Sequence, residues 1–383
     1  MKQWKIPLYR IHTSVDDVKS VSNIVSRDMG WAIGPEIEEF EEKLAKYVKS
    51  GYCVSFNSGT SAQHASLLAL GIKFKDEVIV PSFTFISTAN SVLMANGKPV
   101  FSDIEENSLG LDPELIKKNI SQYTKAIMPV HYAGGACRIK EICELTHKKK
   151  IHVIEDAAES LGCKIGKKKI GTFGSMGIFS FAGNKVLTTG EGGAVVTNSK
   201  KLYEKLKLIR SHGRLDKKNY FQSNLKSNYI TLGYNWRMSS MTAALAKSQL
   251  KRLDKMIQMR RKNAIFLSSK LKEFEEVIVP MESGYKHVFQ LYSIRLKNKK
   301  VRNALMEFLS QNGIMSKIYF EPVHKTPFYT KLGYSKINLP VTKKVSEQIL
   351  SLPMFPDIKT RELKLIVETI GEFIKNSNIT SSF

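Results

Sequence analysis

Cysteine is scarce in this chain: 383 residues hold four, Cys53, Cys137, Cys143 and Cys163. They are scattered, without the close pairs that a structural zinc site requires. They read as reduced thiols, and no metal site is expected. Apolar runs long enough to cross a bilayer are missing. The first residues, Met1 to Pro7, lack the apolar stretch and small-residue cleavage site of a secretory signal. The expected protein is cytoplasmic, with no membrane partner. Acidic residues are also short, 35 Asp+Glu against 59 Lys+Arg, leaving a formal charge of +24. Such an excess can mark nucleic-acid binding, which phosphate neutralisation drives. Here the lysines sit in short, separated clusters, Lys148–Lys150, Lys167–Lys169 and Lys297–Lys300, with no basic strand interleaved with aromatics. The charge therefore reads as a solvated surface that also attracts a small polyanion, with no nucleic-acid partner. Internal repeats are absent as well, and no low-complexity segment is found beyond a tail, Asn376–Phe383, that is expected to fray.

What remains is an ordinary globular composition, 42% hydrophobic and 25% charged, at a length that favours two domains. A helix is expected over Val15–Met29 and another from Pro35, whose apolar residues Ile37, Phe40, Leu44 and Val48 form one stripe. Strands then alternate with helices. The strands are Tyr52–Phe56, Glu77–Pro81, Pro99–Asp103, Ala126–His131 and Ile151–Asp156, and the helices Ala62–Leu70, Thr88–Ala95, Pro113–Ile120 and Ile139–His147. That alternation predicts an α/β domain with a large, mostly parallel sheet. A helix over Lys200–Arg210 and a polar loop holding Tyr220, Phe221 and Tyr229 follow. A long helix from Ser240 to about Phe274 should bridge to a smaller C-terminal α/β domain, so that 1–250 and 251–383 form the two units. In the second unit, strands are expected at Val288–Ile294 and Lys317–Phe320, and helices at Val301–Asn312, Val341–Leu350 and Thr360–Asn376.

The chemistry centres on Phe179-Ser-Phe-Ala-Gly-Asn-Lys185-Val-Leu-Thr-Thr-Gly-Glu-Gly-Gly193. The apolar run Gly177–Phe181 delivers one lysine into a charge-poor segment, and Gly190, Gly192 and Gly193 are expected to reverse the chain into a second run, Ala194–Thr197. A lysine pressed between apolar strands loses hydration and presents a nucleophilic amine. The turn Asn57–Ser61 feeds a helix N-terminus, where free N–H groups and the dipole bind phosphate, although Ser58 or Thr60 could simply cap the helix. Asp156 ends an apolar strand and so needs a buried partner. Gly59, Thr60, Phe85, His131, Asp156 and Lys185 all fall at or just past expected strand ends, where α/β sheets bind ligands. A phosphate-cradling turn, an aromatic, a buried aspartate and a desolvated lysine together fit pyridoxal 5′-phosphate.

At these residues the sequence resembles the DegT-type (StrS-like) sugar aminotransferases, which have the aspartate-aminotransferase fold (pyridoxal-phosphate fold type I). The resemblance runs from Gly30-Trp31 to Leu352-Pro-Met-Phe-Pro356 and is strongest in Ile154–Gly162 and Phe179–Gly193. It implies that Lys185 carries the cofactor and then shuttles a proton between cofactor and substrate carbon. It further implies that Asp156 pairs with the pyridine nitrogen, Phe85 stacks on the ring, and Gly59, Thr60 and Ser180 hold the phosphate. Glu159 stands near the ring hydroxyl, where the family often has His or Gln. Asn235 matches an asparagine that reaches the phosphate of the neighbouring subunit, implying a homodimer with shared active sites. Arg237 is open to two roles, binding the amino donor's carboxylate or bracing its loop, and His324 matches a substrate-side position. Members with His in place of the lysine dehydrate sugars, and Lys185 stands against that alternative. Phe-Ala-Gly-Asn-Lys is closer to perosamine-synthase-like 4-aminotransferases than to the His-Pro-x-Lys form. The implied substrate is a nucleotide-diphosphate 4-keto-6-deoxy sugar, with L-glutamate as donor and a 3-keto-sugar aminotransferase as the other alternative.

Overall fold

The computed structural model describes residues 4–214 and 228–379; Tyr220 and Phe221 of the polar loop, and residues 380–383 of the tail, lie outside the described residues. Seven strands make the central sheet. They are β1 (Tyr52–Phe56), β2 (Glu77–Pro81), β3 (Lys98–Ser102), β4 (Thr124–Ile127) and β5 (His152–Asp156), followed, beyond a small hairpin of β6 (Lys164–Ile165) and β7 (Lys168–Lys169), by β8 (Met176–Ser180) and β9 (Gly193–Thr197). Their order is β1-β9-β8-β5-β4-β2-β3. Only β9 runs against the rest, antiparallel to both β1 and β8. Six strands therefore end at one edge, and the chain segments that follow them gather there. This is the expected mostly parallel mixed sheet.

The sheet is covered on both faces, as its uninterrupted apolar strands require. Successive residues point to opposite sides: Val153 of β5 and Phe179 of β8 join one core, and their neighbours Ile154 and Ile178 join the other. Helices α1 (Val15–Val25), α2 (Pro35–Val48), α3 (Gly59–Leu70), α4 (Ser87–Met94), α5 (Pro113–Asn119), α6 (Ile139–His147) and α7 (Lys200–Arg210) flank it. Phe40 and Leu44 of α2 and Ile139 and Ile142 of α6 fill the first core; Ala62, Ala65 and Leu67 of α3 and Val92 of α4 fill the second.

The 32-residue α8 (Ser240–Leu271) crosses between units. Ala243, Leu250 and Ile257 pack into the sheet core, whereas Ala264, Leu267 and Leu271 pack into a separate core built from the C-terminal part. Position 250 thus falls within one continuous helix, and the core changes between Ile257 and Ala264. The smaller unit contains β10 (Tyr292–Arg295), α9 (Lys299–Gln311), α10 (Pro327–Lys331), α11 (Pro340–Gln348), β11 (Ile349–Leu352) and α12 (Thr360–Ile379), with β10 and β11 antiparallel. Ile6 belongs to this core and bridges to Ile314, so the described N-terminal end packs with the C-terminal part. Buried Arg260 of α8 ties the seam, with Nη1 donating to the carbonyls of Phe289, Gln290 and Met354 at 3.1, 3.3 and 2.9 Å. Burial pushes its guanidinium down to about 10.

Several expected elements are corrected. The Ala126–His131 strand stops at Ile127, because Pro129 has no N–H for the ladder, and only the Val130–Asp156 bridge follows. Helix α1 ends at Val25, not Met29. The Val288–Ile294 run forms β10 only from Tyr292, since Val288 and Leu291 bond instead to Gly134 and Ala133. Lys317–Phe320 contributes one bridge, Lys317–Ser351, and the expected last turn of helix Val341–Leu350 is the start of β11. Gly193 is not part of the chain reversal. It opens β9, and a Cβ there would lie 2.4 Å from the Ser58 carbonyl. Among the described residues, no helix is long and apolar enough to cross a membrane, no cluster of His, Cys, Asp or Glu could hold a metal, and all four cysteines are free thiols.

Candidate active site

Asp156 is the last residue of β5 and 3% exposed. Its Oδ2 accepts from Gln63 Nε2 at 2.7 Å and Thr88 Oγ1 at 2.9 Å, and its Oδ1 accepts from the Ala158 N–H at 3.2 Å. Because Thr88 spends its proton on Asp156, the hydroxyl of Thr84, 2.9 Å away, must donate to Thr88. Gln63 and Thr88 were not singled out from the sequence. Each stands among other buried polar residues, His64 and Ser66 in α3 and Ser87 and Ser91 in α4, so no local signal set it apart. Three donors use three of about four acceptor positions of a carboxylate, so Asp156 retains room for one more N–H.

The helix that supplies Gln63 starts at Gly59. Ser58 caps it, its hydroxyl accepting the Ser61 N–H at 3.0 Å, and the Ala62 N–H goes to the Ser58 carbonyl at 3.2 Å. The capping alternative is therefore real, and it still leaves the Gly59 and Thr60 N–H groups uncapped at the positive end of α3. Ser180, the last residue of β8, lies against them: a Cβ on Gly59 would sit 3.0 Å from the Ser180 Cβ and 3.1 Å from its Oγ. Glycines at 59 and 193 let strand ends and helix start close into one cradle.

Lys185 lies between β8 and β9 with its side chain 14% exposed and Nζ 3.5 Å from Glu159 Oε1. The other oxygen of Glu159 accepts the Ala133 N–H at 2.8 Å. Phe85, beyond β2, is 59% exposed, while Phe83 two residues earlier is buried. The Phe85 ring tilts against Phe320, centroids 6.3 Å apart, and is otherwise largely open to solvent. His131 adjoins the site only through its backbone, its N–H donating to the Asp156 carbonyl at 3.0 Å. It is wholly buried, with Nε2 3.1 Å from Glu155 and Nδ1 accepting the Cys137 N–H at 3.2 Å, so both ring nitrogens serve packing.

Asn235 is exposed and bridges through its backbone to Ser211, while the Asn57 N–H donates to the Trp236 carbonyl at 2.9 Å, seating the segment beside the α3 start. Arg237 donates to Ser211 Oγ at 3.3 Å. Burial first, then the Arg214 and Arg210 charges, hold its guanidinium below the usual range. No carboxylate among the described residues lies within ion-pair distance of Arg237. His324 is 2% exposed, its Nδ1 2.6 Å from Ser82 Oγ, and burial aided by Lys325 pushes it down to about 4. Its ring is neutral and spent on the end of β2.

The donor set suits pyridoxal phosphate: an uncapped helix start with a hydroxyl for phosphate, a carboxylate with an open acceptor position, an amine, and an aromatic face. Comparison with known proteins agrees. The GDP-perosamine synthase of Vibrio cholerae is 34% identical over 372 residues, 96% of this chain and 99% of that protein. The solved structure of Helicobacter pylori PseC, an aminotransferase involved in the biosynthesis of pseudoaminic acid, is 28% identical with a TM-score of 0.90, covering 98% of this chain and 100% of its own. DesV of S. venezuelae is 29% identical with a TM-score of 0.89, covering 96% and 98%. A profile of the DegT/DnrJ/EryC1/StrS aminotransferase family matches residues 13–371. This chain belongs to that family and is a pyridoxal-phosphate-dependent sugar aminotransferase.

Proposed function

We propose that the enzyme transfers the amino group of L-glutamate to the ketone of a nucleotide-diphosphate 4-keto-6-deoxy sugar, in the cytoplasm. The observation that carries the reading is Lys185, a largely buried amine 3.5 Å from a carboxylate, in the segment that leaves β8 just after Ser180 meets Gly59. The GDP-perosamine synthases of V. cholerae, E. coli O157:H7 and Caulobacter vibrioides, 33–34% identical over more than nine-tenths of this chain, support a nucleotide-linked sugar. The +24 charge favours approach of the diphosphate.

When bound, pyridoxal phosphate supplies a carbonyl that exchanges for an amine and a ring that accepts an electron pair. The chain's residues do the rest. The Gly59 and Thr60 N–H groups and the Ser180 hydroxyl bind the phosphate. Asp156 holds a proton on the ring nitrogen, and its two side-chain donors, Gln63 and Thr88, keep the carboxylate aimed. Phe85 covers the ring. Lys185 Nζ moves the proton on and off the reacting carbon, and Glu159 orients that amine. Arg237 receives the donor carboxylate, and His324 shapes the sugar side by fixing Ser82. Incubation of purified protein with L-glutamate should replace the visible absorbance of the lysine-linked cofactor by a near-ultraviolet band. A keto-sugar nucleotide should restore it. GDP-, UDP- and dTDP-linked sugars, tested in turn, identify the substrate; glutamate leaving the spectrum unchanged would sink the proposal.

The active unit we propose is a homodimer in which Asn235 reaches the partner's phosphate site. Supporting this, Asn235 is flanked by exposed apolar residues, Tyr229, Ile230 and, at 77% exposure, Leu232. Lys185→Ala and Asn235→Ala chains should each be poorly active alone. Mixed with subunit exchange, they should recover about a quarter of native activity, because about half the dimers are mixed and one of two sites in each is intact. No recovery on mixing, with exchange shown by a tag, argues for sites complete within one chain.

A further inference from the structure

Lys185 lies in a loop, yet proton transfer demands that its amine be held to well under an ångström. The loop supplies part of this restraint: the Lys185 N–H donates to the Ala182 carbonyl and the Thr189 N–H to the Phe181 carbonyl, both at 2.9 Å. The backbone groups on either side of Lys185 find their partner elsewhere. The buried Val186 N–H donates to Gln290 Oε1 at 2.8 Å, and the Asn184 carbonyl accepts from Gln290 Nε2 at 2.6 Å. One side chain from more than a hundred residues away therefore brackets the lysine, acceptor on one side and donor on the other. It makes the two bonds that a neighbouring strand would make, and a neutral primary amide can make both at once.

Gln290 is itself fixed. It is buried at 3% exposure, and its carbonyl accepts from Arg260 Nη1 at 3.3 Å. On either side, the Val288 N–H donates to the Gly134 carbonyl at 2.9 Å and the Leu291 N–H to the Ala133 carbonyl at 3.1 Å. Gly134 permits this approach, since a Cβ there would lie 2.7 Å from the Gln290 nitrogen. Ala133 in turn donates to Glu159, whose other oxygen faces Lys185 at 3.5 Å. The circuit Lys185, Glu159, Ala133, Leu291, Gln290 and back to the Lys185 loop closes on itself.

We propose that Gln290 is the positioning residue for Lys185, so that the segment entering the smaller unit sets the aim of the amine. The consequence for turnover rests on the role of Lys185 given above; the clamp itself does not. Gln290→Leu removes both bonds. Gln290→Glu keeps an acceptor for Val186 but sets a carboxylate against the Asn184 carbonyl. In the cofactor-free protein, amide hydrogen exchange at Val186 should be at least about tenfold faster in Gln290→Leu and less accelerated in Gln290→Glu, which keeps the acceptor, with Ile178 and Phe179 of β8 unchanged, because only local bonds are lost. With cofactor, kcat should fall about 10- to 100-fold in Gln290→Leu and less in Gln290→Glu, KM staying within about threefold, as expected when aim and not binding is lost. Native exchange at Val186, or native kcat in Gln290→Leu, overturns the proposal. So does acceleration spread evenly through β8 and β9, which would mark a general packing role. Should Gln290→Leu fail to fold, the ordering of kcat and KM in Gln290→Glu decides the same point. If glutamate leaves the native spectrum unchanged, the functional reading fails, while Val186 exchange still tests the clamp.

Discussion

Lys185→Ala should give a folded protein that binds pyridoxal phosphate without the visible band of the lysine-linked form and turns over at least about 10⁴-fold more slowly than the native enzyme. Folding survives because the lysine is on a loop whose backbone bonds, from Lys185 N–H to Ala182 and from Val186 N–H to Gln290, do not involve its side chain. Its ion pair is with Glu159, which keeps the Ala133 N–H when the amine is removed. The stability loss should be on the order of 1 kcal/mol. Chemistry should not survive, since on the proposed mechanism the variant lacks the amine that takes the proton at the reacting carbon. Lys185→Arg sharpens the test: it preserves the positive charge beside Glu159, but a guanidinium does not release its proton near neutral pH, so activity should stay at least about 10³-fold down. Thermal melting with single-turnover rates separates the two effects. Native turnover in Lys185→Ala would remove the lysine from the mechanism, and a collapsed melting transition would make it a structural residue.

The sheet was legible because its strands are short apolar runs punctuated by Gly, Pro and polar turns, and their alternation with helices leaves few topologies. Asp156 and Lys185 stood out for a related reason: each is a charge at the end of an apolar run, and a buried charge needs a reason to be there. The sequence did not show the partners that make these charges usable. Gln63, Thr88 and Gln290 are polar residues within helix- or strand-like segments, and a hydrogen bond spanning 93 or 104 residues has no local pattern. Gly193 was misread as a turn residue because crowding by Ser58 is a property of the folded neighbourhood. His131 looked like a site residue because it follows an apolar run. Pro129 shortens that strand, and the histidine turns inward to Glu155. Residues that carry charge were found by composition, whereas residues that aim charge were found only by geometry.

Asp156→Asn separates the charge of this site from its hydrogen bonds. The carboxylate accepts three donors: Gln63 and Thr88 on Oδ2, and the Ala158 N–H on Oδ1. An amide has one oxygen, so one side of the substituted group must present an NH₂ to a former donor. Relief is at hand in Gln63, whose Oε1 is buried without a hydrogen-bond partner among the described residues; turning its amide over would offer that oxygen to the new NH₂. Asp156→Asn should therefore cost only about 1–3 kcal/mol of stability. On the proposed role of Asp156, the uncharged amide cannot hold a proton on the ring nitrogen, so turnover should fall roughly 10²- to 10⁴-fold. Asp156→Ala leaves all three donors buried and unpaired, and should lose about 2–5 kcal/mol in addition to the same catalytic loss. The ratio of the variants is the test. Equal loss of turnover with unequal loss of stability assigns catalysis to the charge. Native turnover in Asp156→Asn would reduce Asp156 to a buried brace between α3, α4 and β5, and the ring-nitrogen role would have to pass to another group.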